Sequence, residues 1–163
     1  MTREAADVEL LELVERAEPL LASIGDDEAA RELAPGKWSR KQLLGHLIDS
    51  ASNNHQRFVR AHFQSDLVFA GYEQDDWTRV QRYEERSWRS LIALWRALNE
   101  HLAHVIRSTP RELRERVQTR HNFHQIAWRE VPERQPVNLA WFHSDYVGHL
   151  RHHLRQALPD GDF

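Results

Sequence analysis

The sequence predicts an all-α protein, a four-helix bundle. Apolar residues recur at helical spacing through most of the 163 residues. Capping residues, prolines and glycines punctuate the chain where helices should start and stop. Strand signal is slight, and four long amphipathic segments are what a bundle requires. The length suits one domain over residues 1–163, large enough to bury a core.

The first helix is expected over roughly 4–22, with Val8, Leu11, Val14 and Leu21 on one face. Pro19 should bend or shorten its end. Gly25, Asp26 and Asp27 read as a break. After the turn at 34–38, Ser39 and Gln42 fit a capping box, in which the Ser side chain accepts one free amide and the Gln returns to another. The second helix follows over roughly 39–63, carrying Leu43, Leu44, Leu47, Ala51, Phe58 and Val59. A polar loop contains GYEQDDW at 71–77, and Thr78 with Gln81 repeats the capping signature. Trp88, Leu91, Ile92, Trp95, Leu98, Leu102 and Ile106 define a third long helix to about 107. Thr109, Pro110 and Glu112 mark a short helical turn, because Pro suits the first helical position. The stretch 117–136, punctuated by Pro132 and Pro136, is either an irregular excursion or a short hairpin. The last helix spans roughly 137–158 and is ended by Pro159 and Gly161.

Composition narrows the function. Twenty-two basic and 25 acidic residues leave a net charge of −3, so no basic field calls for nucleic acid or an anionic membrane. There are no cysteines, which excludes disulfides, cysteine-zinc knuckles and cysteine nucleophiles and fits a reducing cytosol. MTREAADVEL carries no apolar signal core, and no stretch is apolar enough to span a bilayer. The expectation is a soluble, cytoplasmic protein acting on a small molecule.

Eleven histidines are the unusual feature. His149 and His153 are four apart on the last helix, one above the other on the same face, where two imidazoles can hold one ion. His46, on the second helix, is the best third ligand from another element, and three histidines would leave an open metal site. Projected at 100° per residue, His149 and His153 flank the apolar stripe beside Phe142 and Tyr146, and His46 flanks its own beside Ser50, Asn53 and Arg57. Periodicity does not say whether those flanks meet, and a solvated His-rich helix end has the same spacing.

His143 falls on the apolar stripe and reads as a satisfied, partly buried group. His55 and His62 read as boundary groups on the second helix, while His101 and His104 lack a partner of clear spacing. His121 and His124 either line a pocket or face water.

Two segments, WSRKQLLGHLIDSASNNHQRF (38–58) and HSDYVGHLRHHLRQAL (143–158), together with the YEQDDW loop, resemble the DinB/YfiT-like family. That resemblance implies an antiparallel four-helix bundle with a long crossover, often dimeric. It also implies a divalent ion, commonly nickel or zinc, held by three histidines that map to His46, His149 and His153, with His152 outside the set. Related bundles include thiol-dependent S-transferases and a thiol-dependent isomerase; others are called hydrolases by analogy. Fold does not fix reaction.

An ion on three neutral imidazoles activates water or a thiol, and with no cysteine in the chain the thiol must be a low-molecular-weight cosubstrate. Arg57 is placed to hold a substrate carboxylate, Tyr146 to donate a proton or hydrogen bond, and Asn53 to share the flank; all three equally suit ordinary rim positions. Asp49 or Asp145 either orients a ligand imidazole or faces solvent. Two rival readings are non-catalytic. One is a bundle stabilised by metal, its site closed by His152, His143 or a carboxylate. The other is a helical interaction module whose histidines bind nothing.

Overall fold

The computed structural model describes residues 5–163, so the expected helix start at Glu4 lies outside the described residues. The helices are α1 (Ala6–Ala22), α2 (Asp26–Ala29), α3 (Arg40–Arg60), α4 (Gln74–Gln81), α5 (Trp88–Ser108), α6 (Arg111–Glu115), α7 (Phe123–Ile126) and α8 (Leu139–Ala157). A single 3-10 turn at Tyr83–Glu85 precedes α5. Pro19 does not shorten α1; the helix runs on through Ala22, and the Pro19 carbonyl accepts the Ser23 amide at 3.1 Å.

Local chemistry explains most of the boundaries. Ser39 and Gln42 form the expected capping box, with reciprocal bonds of 3.2 and 3.0 Å. Asn138 caps α8 by accepting from the Trp141 amide at 2.9 Å. The third long helix begins later than Thr78 and Gln81 suggest. Those two lie within α4, and Ser87 is the cap of α5, accepting from the Ser90 amide at 3.2 Å. Thr78 is buried with its hydroxyl unpartnered, so it cannot serve as an N-cap.

The four long helices form a bundle in which α1 and α3 each pack against both α5 and α8. Asp7 to Arg107 and Trp88 Nε1 to the Leu21 carbonyl join opposite ends of α1 and α5, making that pair antiparallel. Arg40 donating to the Ala157 carbonyl makes α3 and α8 antiparallel too. The starts of α3 and α5 share one carboxylate: Asp26 accepts Lys41 Nζ at 2.7 Å and the Trp88 amide at 2.7 Å, so these neighbours run parallel. Residues 61–87 between them are therefore the long crossover, returning the chain along the length of the bundle.

Leu10, Leu47, Leu91, Leu102, Leu150 and Trp95 fill the centre. Each such side chain contributes about 1.5–3 kcal/mol on leaving water. No helix among the described residues is long and apolar enough to cross a membrane.

Two non-helical segments are fixed to this frame. In the crossover, Tyr83 lies so close to α3 that a Cβ on Gly45 would stand 2.1 Å from its ring. The Tyr83 hydroxyl donates to Asp49 at 2.6 Å, and Gln81 donates to the same oxygen at 2.7 Å. Residues 117–136 form an irregular excursion rather than a hairpin, held by isolated bridges of Gln118 to Val137 and Leu67 to His121. Asp145 clamps it, accepting the Trp128 and Arg129 amides at 2.9 Å each and Arg129 Nε at 3.0 Å. Trp128 in turn packs on Gly148, where a Cβ would stand 2.9 Å from the indole ring.

Candidate metal centre

The antiparallel packing of α3 and α8 brings the two histidine flanks together. His46, His149 and His153 each offer a ring nitrogen, and these atoms lie within 4.8 Å of one another. His46 Nε2 and His149 Nε2 stand 3.1 Å apart. Two imidazole nitrogens bound to one ion at about 2.0–2.1 Å are about 3 Å apart in tetrahedral or octahedral arrangements, so the spacing fits shared ligation.

The outer nitrogens are partly arranged for the same purpose. His149 Nδ1 is 3.3 Å from Ser50 Oγ, and His153 Nδ1 is 2.8 Å from Gln156 Oε1. An amide oxygen only accepts, so His153 carries its proton on Nδ1 and keeps an Nε2 lone pair. His46 Nδ1 is buried without a partner, and the Trp38 ring lies 5.3 Å from the His46 ring.

Burial keeps the cluster neutral. It pushes His46 down to about 4, with His153 adding to the effect. His149 falls well below its ordinary value for the same reason, reinforced by His153 and His46. Burial also lowers His153, against the opposing pull of Gln156. Neutral imidazoles have free lone pairs, the state ligation needs.

Two members of the cluster, His46 and His149, line a cavity of about 550 Å³. One wall is the α3 stripe His46, Ser50, Asn54 and Arg57; the α8 wall includes Phe142, Tyr146 and His149. Residues 71–75 of the crossover and 125–128 of the excursion complete it. No fourth His, Cys, Asp or Glu joins the three histidines among the described residues. His152 is exposed and takes up Gln156 Nε2 at 3.1 Å. His143 lies elsewhere, against Phe58 at 4.5 Å.

Several sequence expectations need correction. Asn53 does not line the cavity; its amide bonds back to the Asp49 carbonyl at 2.9 Å, and Asn54 lines the wall in its place. At about 100° per residue Asn53 lies at the edge of the α3 stripe opposite Asn54, only about 20° round from His46, so the cavity opens toward the Ser50 and Asn54 side of that stripe. Tyr146 presents its ring, but its hydroxyl donates to Asn99 in the core, so its proton is turned away from the cavity. Burial raises that hydroxyl's pKa further. Asp49 and Asp145 are both buried rather than solvent-facing, and they hold the crossover and excursion rather than a ligand imidazole.

His143 is fully buried with both ring nitrogens unpartnered, not satisfied. His121 is a buried structural group, bonded to the Gln135 carbonyl at 2.9 Å and accepting the Phe123 amide at 3.2 Å. Arg57 does line the cavity. Asn54, Tyr72, Gln156 and residues 125–128 were not singled out from the sequence; Asn54 stands about 80° round α3 from His46, a weaker periodic match than Asn53.

A family model described as the DinB superfamily matches residues 9–157. A curated relative from Oceanobacillus iheyensis, named a "putative metal-dependent hydrolase", is 23% identical over 130 residues, 79% of this chain and 72% of its own. Another, from Halalkalibacterium halodurans and named in the same words, is 25% identical over 100 residues, 61% of this chain and 58% of its own. A solved structure, YfiT from Bacillus subtilis, described as "a probable metal-dependent hydrolase with an unusual four-helix bundle topology", matches with a TM-score of 0.71. It covers 94% of this chain and 84% of its own at 16% identity, a likeness of fold.

Proposed function

The chain belongs to the DinB superfamily, and from that premise we propose that it is a divalent-metal-dependent enzyme whose ion is held by His46, His149 and His153. The observation that carries this reading is an all-histidine cluster, two of whose members line a cavity, with no fourth protein ligand among the described residues. A structural ion is usually enclosed by four ligands, whereas a catalytic one keeps a position for the reactant. When bound, such an ion lowers the pKa of water or a thiol to supply a nucleophile near neutral pH.

The residues of the chain do the rest. Ser50 and Gln156 orient the His149 and His153 rings. Phe142 and the Tyr146 ring exclude water from one wall, and the excursion held by Asp145 covers another. The chain has no cysteine, so in a thiol reaction the sulfur arrives with a cosubstrate, while hydrolysis needs water alone. Three imidazoles suit nickel or zinc.

Plasma mass spectrometry on untagged protein, beside the triple variant H46A/H149A/H153A, tests the site. About one divalent ion per chain in the parent and none in the variant is expected. No uptake by the parent after dialysis against nickel or zinc overturns the reading. The H149A variant then separates the roles of the ion: lost turnover with an unchanged melting temperature supports catalysis, and a large fall in melting temperature supports a structural ion.

A further inference from the structure

Arg57 is 5% exposed and lines the same cavity as His46 and His149. It has five N–H donors and no acidic partner among the described residues. Nη2 donates to the Ala70 carbonyl at 2.9 Å, Nη1 reaches Asn54 Oδ1 only at 3.4 Å, and Nε is buried with no acceptor. The guanidinium lies 5.8 Å from the centre of the Tyr72 ring.

The acids of the cavity do not neutralise it. Asp145 is occupied by Arg129 and two amides, and Glu73 and Asp75 are exposed. A buried cation without a counter-charge is costly unless something else supplies the charge. A guanidinium presents a planar fork that matches a carboxylate.

We propose that Arg57, with Asn54 and Tyr72, forms an anion subsite that takes a carboxylate of the substrate or cosubstrate. Its distance from the reacting atom follows from the helix. His46 and Arg57 are eleven residues apart on one face of α3, about 16 Å along the axis, and the Arg side chain leans back toward Asn54, leaving a span on the order of 10 Å. The reactant is thus an elongated acid with its reactive group remote from its carboxylate. This span rests on the metal reading above; the anion subsite does not.

The probe is butyrate, with butyramide as its neutral counterpart, titrated into 15N-labelled protein with and without zinc. Butyrate and not butyramide is expected to move the Arg57 Nε–H resonance. The variant R57M is expected to weaken butyrate at least tenfold without lowering the melting temperature, because it removes an uncompensated buried charge. The H46A/H149A/H153A variant is expected to keep butyrate binding, which separates this subsite from the metal. Should R57M fail to fold, R57K keeps the charge but loses the fork and is expected to weaken butyrate about tenfold.

Absence of butyrate binding overturns the proposal. So does equal binding by butyramide, or unchanged butyrate affinity in R57M or R57K. Butyrate binding that needs zinc and is lost in the triple histidine variant places the anion on the metal, which overturns the subsite and leaves the metal reading intact. A lower melting temperature in R57M with unchanged butyrate affinity makes Arg57 a strap for the crossover.

Discussion

Two groups of three histidines flank α3, and they are built alike. Each takes one residue from α3 and two, one turn apart, from a neighbouring helix: His46 with His149 and His153 of α8, and His55 with His101 and His104 of α5. In the first group the ring centres are 5.1, 4.8 and 4.6 Å apart and the ligand atoms converge within 4.8 Å. In the second the His55 and His101 rings are 5.2 Å apart and the His101 and His104 rings 6.3 Å apart, and both α5 members are exposed. The first faces a cleft between antiparallel helices that is walled by the crossover and the excursion. Ser50 and Gln156 orient its outer nitrogens, and no such hydrogen bonds orient the second among the described residues. Convergence of the ring nitrogens thus goes with enclosure and with what steers the rings, more than with spacing along the helix.

The comparison breaks most sharply on metal affinity. His149→Ala is expected to weaken zinc or nickel binding about a thousandfold, about 4 kcal/mol, whereas His101→Ala leaves it unchanged. Competition against a chromophoric chelator reads both, and equal losses would erase the distinction.

Protonation gives the next largest effect. Burial pushes His143 down to about 3, with Arg114 and His62 adding to the shift. The unfolded state then binds more protons than the folded state below about pH 6.5, so stability falls as pH drops toward the folded value. Metal-free protein is expected to lose about 3 kcal/mol from this group between pH 7 and 4, and His143→Leu to recover that loss in urea titrations at the two pH values. An identical pH slope in the variant would refute the shift. His46 and His149 add to the slope in the same direction.

The wall itself can be disturbed. Gly45→Ala places a methyl against the Tyr83 ring, loosens the Asp49 contact and is expected to cost about 2 kcal/mol in urea unfolding. An unchanged midpoint would mean that Tyr83 moves aside freely. The smallest effect sharpens the steering argument: Gln156→Ala removes the His153 acceptor and is expected to weaken metal binding about tenfold, about 1.4 kcal/mol, with the fold intact. No change by the chelator assay would show that Gln156 serves only His152.

Features governed by neighbours in sequence were legible. The Ser39 capping box, the positions of the four long helices and the shared face of His149 and His153 all follow from contacts three or four residues apart. Choices between equally good local signals were not. Thr78 carries the capping signature in sequence, but it is buried in α4, and it is Ser87 that has its hydroxyl at a free amide. Asn53 and Asn54 are adjacent, and the side of α3 that meets the cavity selects between them. Tyr146 lies beside the ligands in projection, yet a core asparagine on α5 takes its hydroxyl.

Helical periodicity and capping are short-range physics, and they suffice for an all-α chain with histidines at ligand spacing. Long-range packing is what sets α3 and α8 antiparallel with their histidines facing, makes α3 and α5 parallel across the crossover, and encloses Arg57 without an acid among the described residues. Those outcomes depend on burial and on partners up to about a hundred residues away, for example His46 and His149, and no local pattern encodes which distant face a helix meets.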